Sequence, residues 1–459
     1  MTRNIKQAFF LLLLVSITGL SCKKEIKPES LPEDIPSKAN NAGVQGHLQQ
    51  TKTFSSDVIM RWLNMQLDLL RVPLASGAGS QTADRAQGYC GIAAYEAVVN
   101  GMPAYRSLSG QLTVFPDMPA VEPGKAYHWA ASANAALAEM NRKLFPTASD
   151  ANKAAINNLE TTLQNMYAAE VNASTLERSI AFGKEVATRI FAWAATDGQS
   201  NPNPAYEPPV GFGKWVKTSP AAPAANAYYF QRRLLVPDVA AGTEIPAPPP
   251  YSITPGSDFW NMVKDVYDKS FVLTADQIAS AIYNRDNPGY PGGGHFVSIF
   301  LQALSKAQLP LDAAALAYAK VGLAQHDATI ICFTNKYIHL TVRPITYIRN
   351  VMGHTTWNTI IPTPNHPEFP SGHATINSAV MDMLTNVFGD HFALTLHTYD
   401  YLGFSARSFA SFEEMSIEMA NSRIYGGIHY QSTCDNSRIQ GKKVAQNILQ
   451  TIQFLKDDD

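Results

Sequence analysis

Apolar residues recur every three or four positions along most of this chain, a period that restricts it to helices packed against helices. Five segments carry the pattern for several turns each: "SSDVIMRWLNMQLDLLRV", "ADRAQGYCGIAAYEAVV", "KAYHWAASANAALAEMNRKLF", "ASTLERSIAFGKEVATRIFAWAATDG" and "LDAAALAYAKVGLAQHDATIICFTNKYIHL". Period-two alternation, the mark of a half-buried strand, is nearly absent. From Leu311 to Cys332 the last segment is apolar on most sides, which predicts a helix inside a bundle. His326 and Asp327 interrupt it and keep it from reading as a membrane span. The predicted fold is all-α, with two helical bundles.

The amino terminus has a different character. Arg3 and Lys6 precede "AFFLLLLVSITGLS" and then Cys22, the order of a charged region, a short apolar region and a lipoprotein cleavage cysteine. Residues 1–22 are therefore expected to be a signal that leaves a lipid anchor at Cys22, with plain secretion as the fallback because Gly19 replaces the usual larger aliphatic residue. Either way the chain is exported to the cell envelope or beyond it. Residues 23–52 are polar, proline-containing and poor in aromatics, which predicts a flexible tether, with folding from about residue 53 to 459 as one unit.

Cleavage removes two of the 36 Lys and Arg and none of the 38 Asp and Glu, leaving 34 against 38, a net of −4. That balance argues against a nucleic-acid partner. Beyond Cys22 only Cys90, Cys332 and Cys434 remain, enough for at most one intramolecular disulfide and arranged unlike any zinc site. A proline-rich passage between Asn201 and Pro255 cannot be regular helix, yet Trp215, Tyr228, Tyr229, Phe230 and Tyr251 give it aromatic anchors. It is read as a packed connection between two helical halves.

Three segments in the last third carry the chemistry. In "KYIHLTVRP", Lys336 and Arg343 stand seven residues apart, about two helical turns, so on one helix both cations would face the same way. In "HPEFPSGHATINSAV", Ser371, Gly372 and His373 stand at the start of a helical run, where unpaired N–H groups and the positive end of the helix dipole suit an anion. In "NSRIYGGIHYQSTCD", Gly426 and Gly427 predict a helix stop that turns Arg423 and His429 toward one point. Three cations, a hydroxyl, a bare N–H and two histidines suit a tetrahedral oxyanion such as phosphate or vanadate.

The three blocks, K-x6-RP, PSGH and SR-x5-H, in this order, resemble the signature shared by vanadium-dependent haloperoxidases and type 2 phosphatidic acid phosphatases. The long helical region before them resembles the bacterial haloperoxidase branch, in particular iodoperoxidase-like enzymes of marine Bacteroidetes. The resemblance implies vanadate as cofactor, with His429 bound to the metal. Lys336, Arg343, Arg423, Ser371 and Gly372 would hold its oxygens, and His373 would be the acid–base group. Hydrogen peroxide and a halide would be the substrates and a hypohalous species the product. On a soluble acid phosphatase of the same superfamily the same pocket would bind phosphate, and His429 would form a phosphohistidine.

Two departures bear on detail. The family's carboxylate four residues after the ligand histidine is replaced by Thr433, which leaves Asp435 as the nearest acid to orient His429. His366, five residues before Ser371, stands where chloroperoxidases tend to have Phe, and Phe333, three before Lys336, stands where Trp is common. Both point to iodide or bromide over chloride, and iodide leads as the easiest halide to oxidise, with His366 as a titratable group assisting proton transfer.

Overall fold

The computed structural model describes residues 49–79 and 82–456. The expected signal, Cys22 and most of the tether lie outside those residues. The tether is too long at its end, since Thr51–Thr53 form a 3-10 turn in which Thr51 is buried and its hydroxyl donates to the Val98 carbonyl at 2.8 Å.

Thirteen α-helices are formed among the described residues. The first five are α1 (Asp57–Leu70), α2 (Ala83–Glu96), α3 (Trp129–Leu144), α4 (Asp150–Ala168) and α5 (Ala173–Ala194). After the proline-rich connection come α6 (Asp258–Lys269), α7 (Ala275–Tyr283), α8 (Gly294–Ala307), α9 (Leu311–His339) and α10 (Pro344–Asn350). The last three are α11 (Gly372–Phe388), α12 (Phe412–Tyr425) and α13 (Gln431–Thr451). Side-chain caps set several starts: Ser149 accepts from the Asn152 N–H, Asn172 from Thr175, and Thr274 forms a reciprocal capping box with Gln277. One short antiparallel pair, β1 (Leu394–Leu396) with β2 (Arg407–Phe409), is the only two-stranded sheet among the described residues.

Helices α1 to α5 pack with α8 and α9 into one bundle, while α11, α12 and α13 pack with α9 and α7 into a second. Helix α9 belongs to both, which is why its faces are apolar nearly all round and most of its residues are buried. Its crossing with α2 is a backbone contact: a Cβ at Gly91 would stand 2.4 Å from the Tyr318 carbonyl oxygen, and one at Gly322 2.3 Å from that of Gln87. Only hydrogen fits at those points.

The two polar interruptions of α9 have a structural use. The Asp327 carboxylate accepts from the backbone N–H groups of Leu235 and Val236 at 2.8 and 3.0 Å, and from His326 Nδ1 at 2.9 Å. They pin the proline-rich connection to the bundle. Further back in that connection Trp215 is fully buried and its backbone N–H donates to the Leu340 carbonyl, just beyond the end of α9. The passage is packed and sits beside the segment that carries Arg343.

Candidate active site

Lys336 stands in the last turn of α9, and the helix ends where Leu340 takes a left-handed conformation (φ +56°). Arg343 is therefore not on the same helix as Lys336. Pro344 forces the residue before it into extended backbone, and Arg343 (φ −77°, ψ 149°) starts α10 from there. A loop, rather than helical periodicity, brings the two cations together.

Arg343 is fully buried and makes directed bonds on every side. Its Nε donates to the His366 carbonyl at 3.0 Å, Nη1 to the Ile428 carbonyl at 2.8 Å and to His429 Nε2 at 3.2 Å, and Nη2 to His366 Nδ1 at 3.0 Å. His366 Nδ1 also lies 3.2 Å from the Pro367 carbonyl, and one nitrogen cannot serve both. The guanidinium always carries its protons, so Nδ1 is the acceptor. Burial, then Lys336 and Arg343, hold the His366 imidazole well below its ordinary pKa. It is a neutral prop for Arg343, not the titrating group expected. Phe333 packs edge-on against it at 5.2 Å.

Lys336 is committed differently from the expectation. Its ammonium donates to the carbonyls of Pro367 (2.9 Å), Glu368 (3.0 Å) and Pro370. Three acceptors use three protons, so the group is charged although burial pushes its pKa down. In this arrangement Lys336 clamps the loop that leads into α11 and contributes long-range positive charge. It does not present a free donor.

Ser371 is the N-cap of α11: its Oγ accepts from the Ala374 N–H at 3.4 Å, and its own N–H donates to Ser437 Oγ at 2.8 Å. The hydroxyl also lies within hydrogen-bonding reach of the Cys434 thiol. At Gly372 no atom lies within 4 Å of where a Cβ would stand, so its backbone faces open space. Below the pocket α11 and α13 cross closely, since a Cβ on Gly441 would meet the Thr375 carbonyl at 2.1 Å.

Helix α12 carries Arg423 in its last turn, stops at Gly426, and turns through Gly427 (φ +77°) to His429. Arg423 donates to the Asn284 carbonyl. The His429 ring is fixed by Glu368: Nδ1 lies 2.7 Å from Oε1, which also accepts from the Tyr430 N–H at 3.2 Å, while Oε2 accepts from the Thr433 hydroxyl at 3.0 Å. Burial, then Arg343, Lys336 and Arg423, push the imidazole pKa well down. The neutral ring donates from Nδ1 and keeps its Nε2 lone pair toward the cations.

Asp435 does not take this part. It is exposed on the first turn of α13 and accepts from Gln431 Nε2 at 3.1 Å. The orienting acid has moved from the helix to the loop, and Thr433 holds it there. A lone acid among the prolines of "HPEFP" was the sequence signal. A second acid had no local signal: Asp286, between α7 and α8, accepts from His373 Nε2 at 2.9 Å. Burial alone would raise the Asp286 carboxyl, but His373, His295 and Arg423 hold it below its ordinary value. His373, a quarter exposed, is the least covered of these groups.

Cys332 and Cys434 are buried free thiols, as is Cys90. The fold and site together define an all-helical, two-bundle protein in which buried cations gather around two histidines. Three buried cations, Lys336, Arg343 and Arg423, outnumber the two carboxylates beside them, Glu368, which burial raises to about 7, and Asp286, which is held low.

Comparison with known proteins agrees with that class. Residues 316–458 match the family described as the VCPO second helical-bundle domain. The structure is similar to that of the first bacterial vanadium-dependent iodoperoxidase, with a TM-score of 0.78 and 27% identity over 88% of this chain and 98% of that one. It shares its fold with a bacterial vanadium-dependent chloroperoxidase at 17% identity. The apo form gives a TM-score of 0.62 over 80% of this chain and 91% of that one, and the holo form 0.60 over 90% and 95%. No curated protein sequence matches the chain. Residues 316–458 thus resemble the second helical bundle of that family, and the chain as a whole is similar in structure to a vanadium-dependent iodoperoxidase.

Proposed function

We propose that this protein is a vanadate-dependent haloperoxidase that oxidises iodide first and bromide second, using hydrogen peroxide, to a hypohalous species. The observation that carries the proposal is the His429 Nε2 lone pair, held by Glu368 at Nδ1 and surrounded by buried cations. The open space over Gly372 supplies room for an oxyanion beside backbone N–H groups at the start of α11. Vanadate fits this donor set.

His429 Nε2 would ligate the metal, and Arg343, Arg423, the Ser371 hydroxyl and the Gly372 N–H would hold its oxygens. Vanadate supplies a Lewis-acid centre that activates hydrogen peroxide toward halide without changing oxidation state. The rest is the work of the chain. His373 Nε2 is engaged by Asp286, so Nδ1 is the ring atom left to exchange a proton with the pocket. Lys336 holds the 367–370 loop in register and adds positive charge from beneath. Iodide leads because it is the easiest halide to oxidise and because the similar solved structure is an iodoperoxidase.

The test is reconstitution of apo-protein with vanadate, followed by peroxide with iodide, bromide and chloride in turn. Oxidation in that order is expected, with phosphate slowing reconstitution because it competes for the same donors. Brisk phosphate-ester hydrolysis, inhibited by vanadate and without halide oxidation, would instead make the protein an acid phosphatase acting through a phosphohistidine on His429.

Export with a lipid anchor at Cys22 belongs to the same proposal. No helix among the described residues is long and apolar enough to cross a membrane. Mass spectrometry of the mature amino terminus checks the anchor.

A further inference from the structure

Behind Asp286, on the side away from His373, lies a group of buried polar atoms that no protein partner satisfies. Asp286 Oδ1 is one of them, and both ring nitrogens of His295 and the hydroxyl of Tyr399 are others. His295, 1% exposed on the first turn of α8, points Nδ1 toward Asp286 Oδ1 at 3.9 Å, too far for a direct hydrogen bond. The Tyr399 ring packs on His295 at 5.1 Å between centroids. Nearly all buried polar groups in folded proteins are paired, so an orphan carboxylate oxygen with three more orphan atoms near it indicates a bound partner rather than chance.

The chemistry restricts that partner. Asp286 is ionised and already accepts from His373, so a halide or another anion beside Oδ1 would be repelled. Burial drives the His295 pKa down to about 4, so the ring is neutral, with one donor and one acceptor. A cation would find a single carboxylate oxygen, too few ligands to replace its hydration. Water both donates and accepts, and two to four polar partners are what a buried water needs.

We propose that His295 and Tyr399 form an inner water site that ties down the second oxygen of Asp286, making His295 a positioning residue for the His373–Asp286 pair. Water accepts from His295 Nδ1 and donates to Asp286 Oδ1, and the Tyr399 hydroxyl supplies a third bond. With both oxygens engaged, the carboxylate holds His373 Nε2 in one orientation. The kinetic consequence rests on the haloperoxidase reading; the water site does not.

A high-resolution crystal structure of the apo-protein is expected to show a density peak within about 3.2 Å of both His295 Nδ1 and Asp286 Oδ1. In vanadate-loaded protein, His295→Phe, which keeps the ring packing, should lower kcat about tenfold. Vanadate affinity, titrated separately, should stay within about twofold, and His295→Gln, which keeps a donor, should recover most of the rate. Absence of the peak, with unchanged kcat and a raised Tm in His295→Phe, overturns the proposal, because a dry site is stabilised by removing an orphan polar group. If His295→Phe does not fold, the density and the His295→Gln rate decide. Wild-type protein that shows the peak but oxidises no halide would overturn the haloperoxidase reading alone.

Discussion

Two regions of the molecule bury a histidine against a carboxylate, and they use it for different ends. In the middle of α9, Asp327 spends one oxygen on the His326 ring and the Leu235 N–H and the other on the Val236 N–H, with no cation in the arrangement. In the pocket, Glu368 binds His429 at Nδ1 while Arg343 stands at Nε2 on the other side of the ring. The first pair closes on itself and fastens a loop. The second leaves a lone pair directed into positive charge, and that asymmetry rather than the His–acid pair itself makes a reactive site.

The largest effect should come from removing that lone pair. His429→Ala is expected to weaken vanadate binding more than a hundredfold, beyond the usual loss from a partner that only supports a ligand, and to abolish halide oxidation. His373→Ala should keep more of the binding than of the turnover, since its role is proton transfer. Equal loss of binding in the two variants would mean the roles are misassigned. Vanadate titration beside iodide oxidation measures both.

Glu368→Gln comes next, with a loss of about 10- to 100-fold in vanadate affinity or activity. The sharper form of this test moves the acid. Glu368→Gln combined with Thr433→Asp should regain part of the loss, and failure of the double variant would show that the loop position itself is required. In contrast, Asp327→Asn should cost about 1–3 kcal/mol in urea unfolding and leave vanadate affinity unchanged. A large change in vanadate affinity there would end the distinction between the two regions.

The smallest effect concerns a buried carboxylate with no cation at all. Glu96 accepts from the Leu108 N–H at 2.6 Å and Ser107 Oγ at 2.9 Å, and burial pushes its pKa up to about 7. The folded state thus binds this proton more tightly than the unfolded chain. The resulting stability is fully present below the ordinary carboxylate pKa and is lost as pH rises through about 7. Tm should drift down over that window, and Glu96→Gln should flatten the slope.

Helices with a wide apolar face were legible from sequence, α1, α2, α3, α5 and α9 among them. Helix α4 was not, because only Ile156, Leu163 and Tyr167 are buried along it, and a stripe that thin gives little periodic signal. The β1–β2 pair was missed because three-residue strands are too short to show alternation. In the site, the motif residues were visible because each is local to a turn or helix start. Glu368 had only the weak signal of a lone acid among prolines, Asp286 became visible only through tertiary contact, and the use of Lys336 as a clamp depended on where the 367–370 carbonyls fall. Spacing also misled at Arg343, where the proline after it outweighed the helical count.

The carbonyl cage around Lys336 and the carboxylates beside Arg343 and Arg423 have a consequence for timing. Most of the pocket's positive charge is offset by the chain's own groups before any anion arrives, so the polypeptide can reach its final shape without a metal template. Maturation then runs in two stages, shape first and loading second, and the second is reversible exchange with the surroundings. On the export proposed above, a protein built this way would need no insertion machinery. With vanadate as the proposed cofactor, its fraction in working order would follow the ratio of vanadate to phosphate around it.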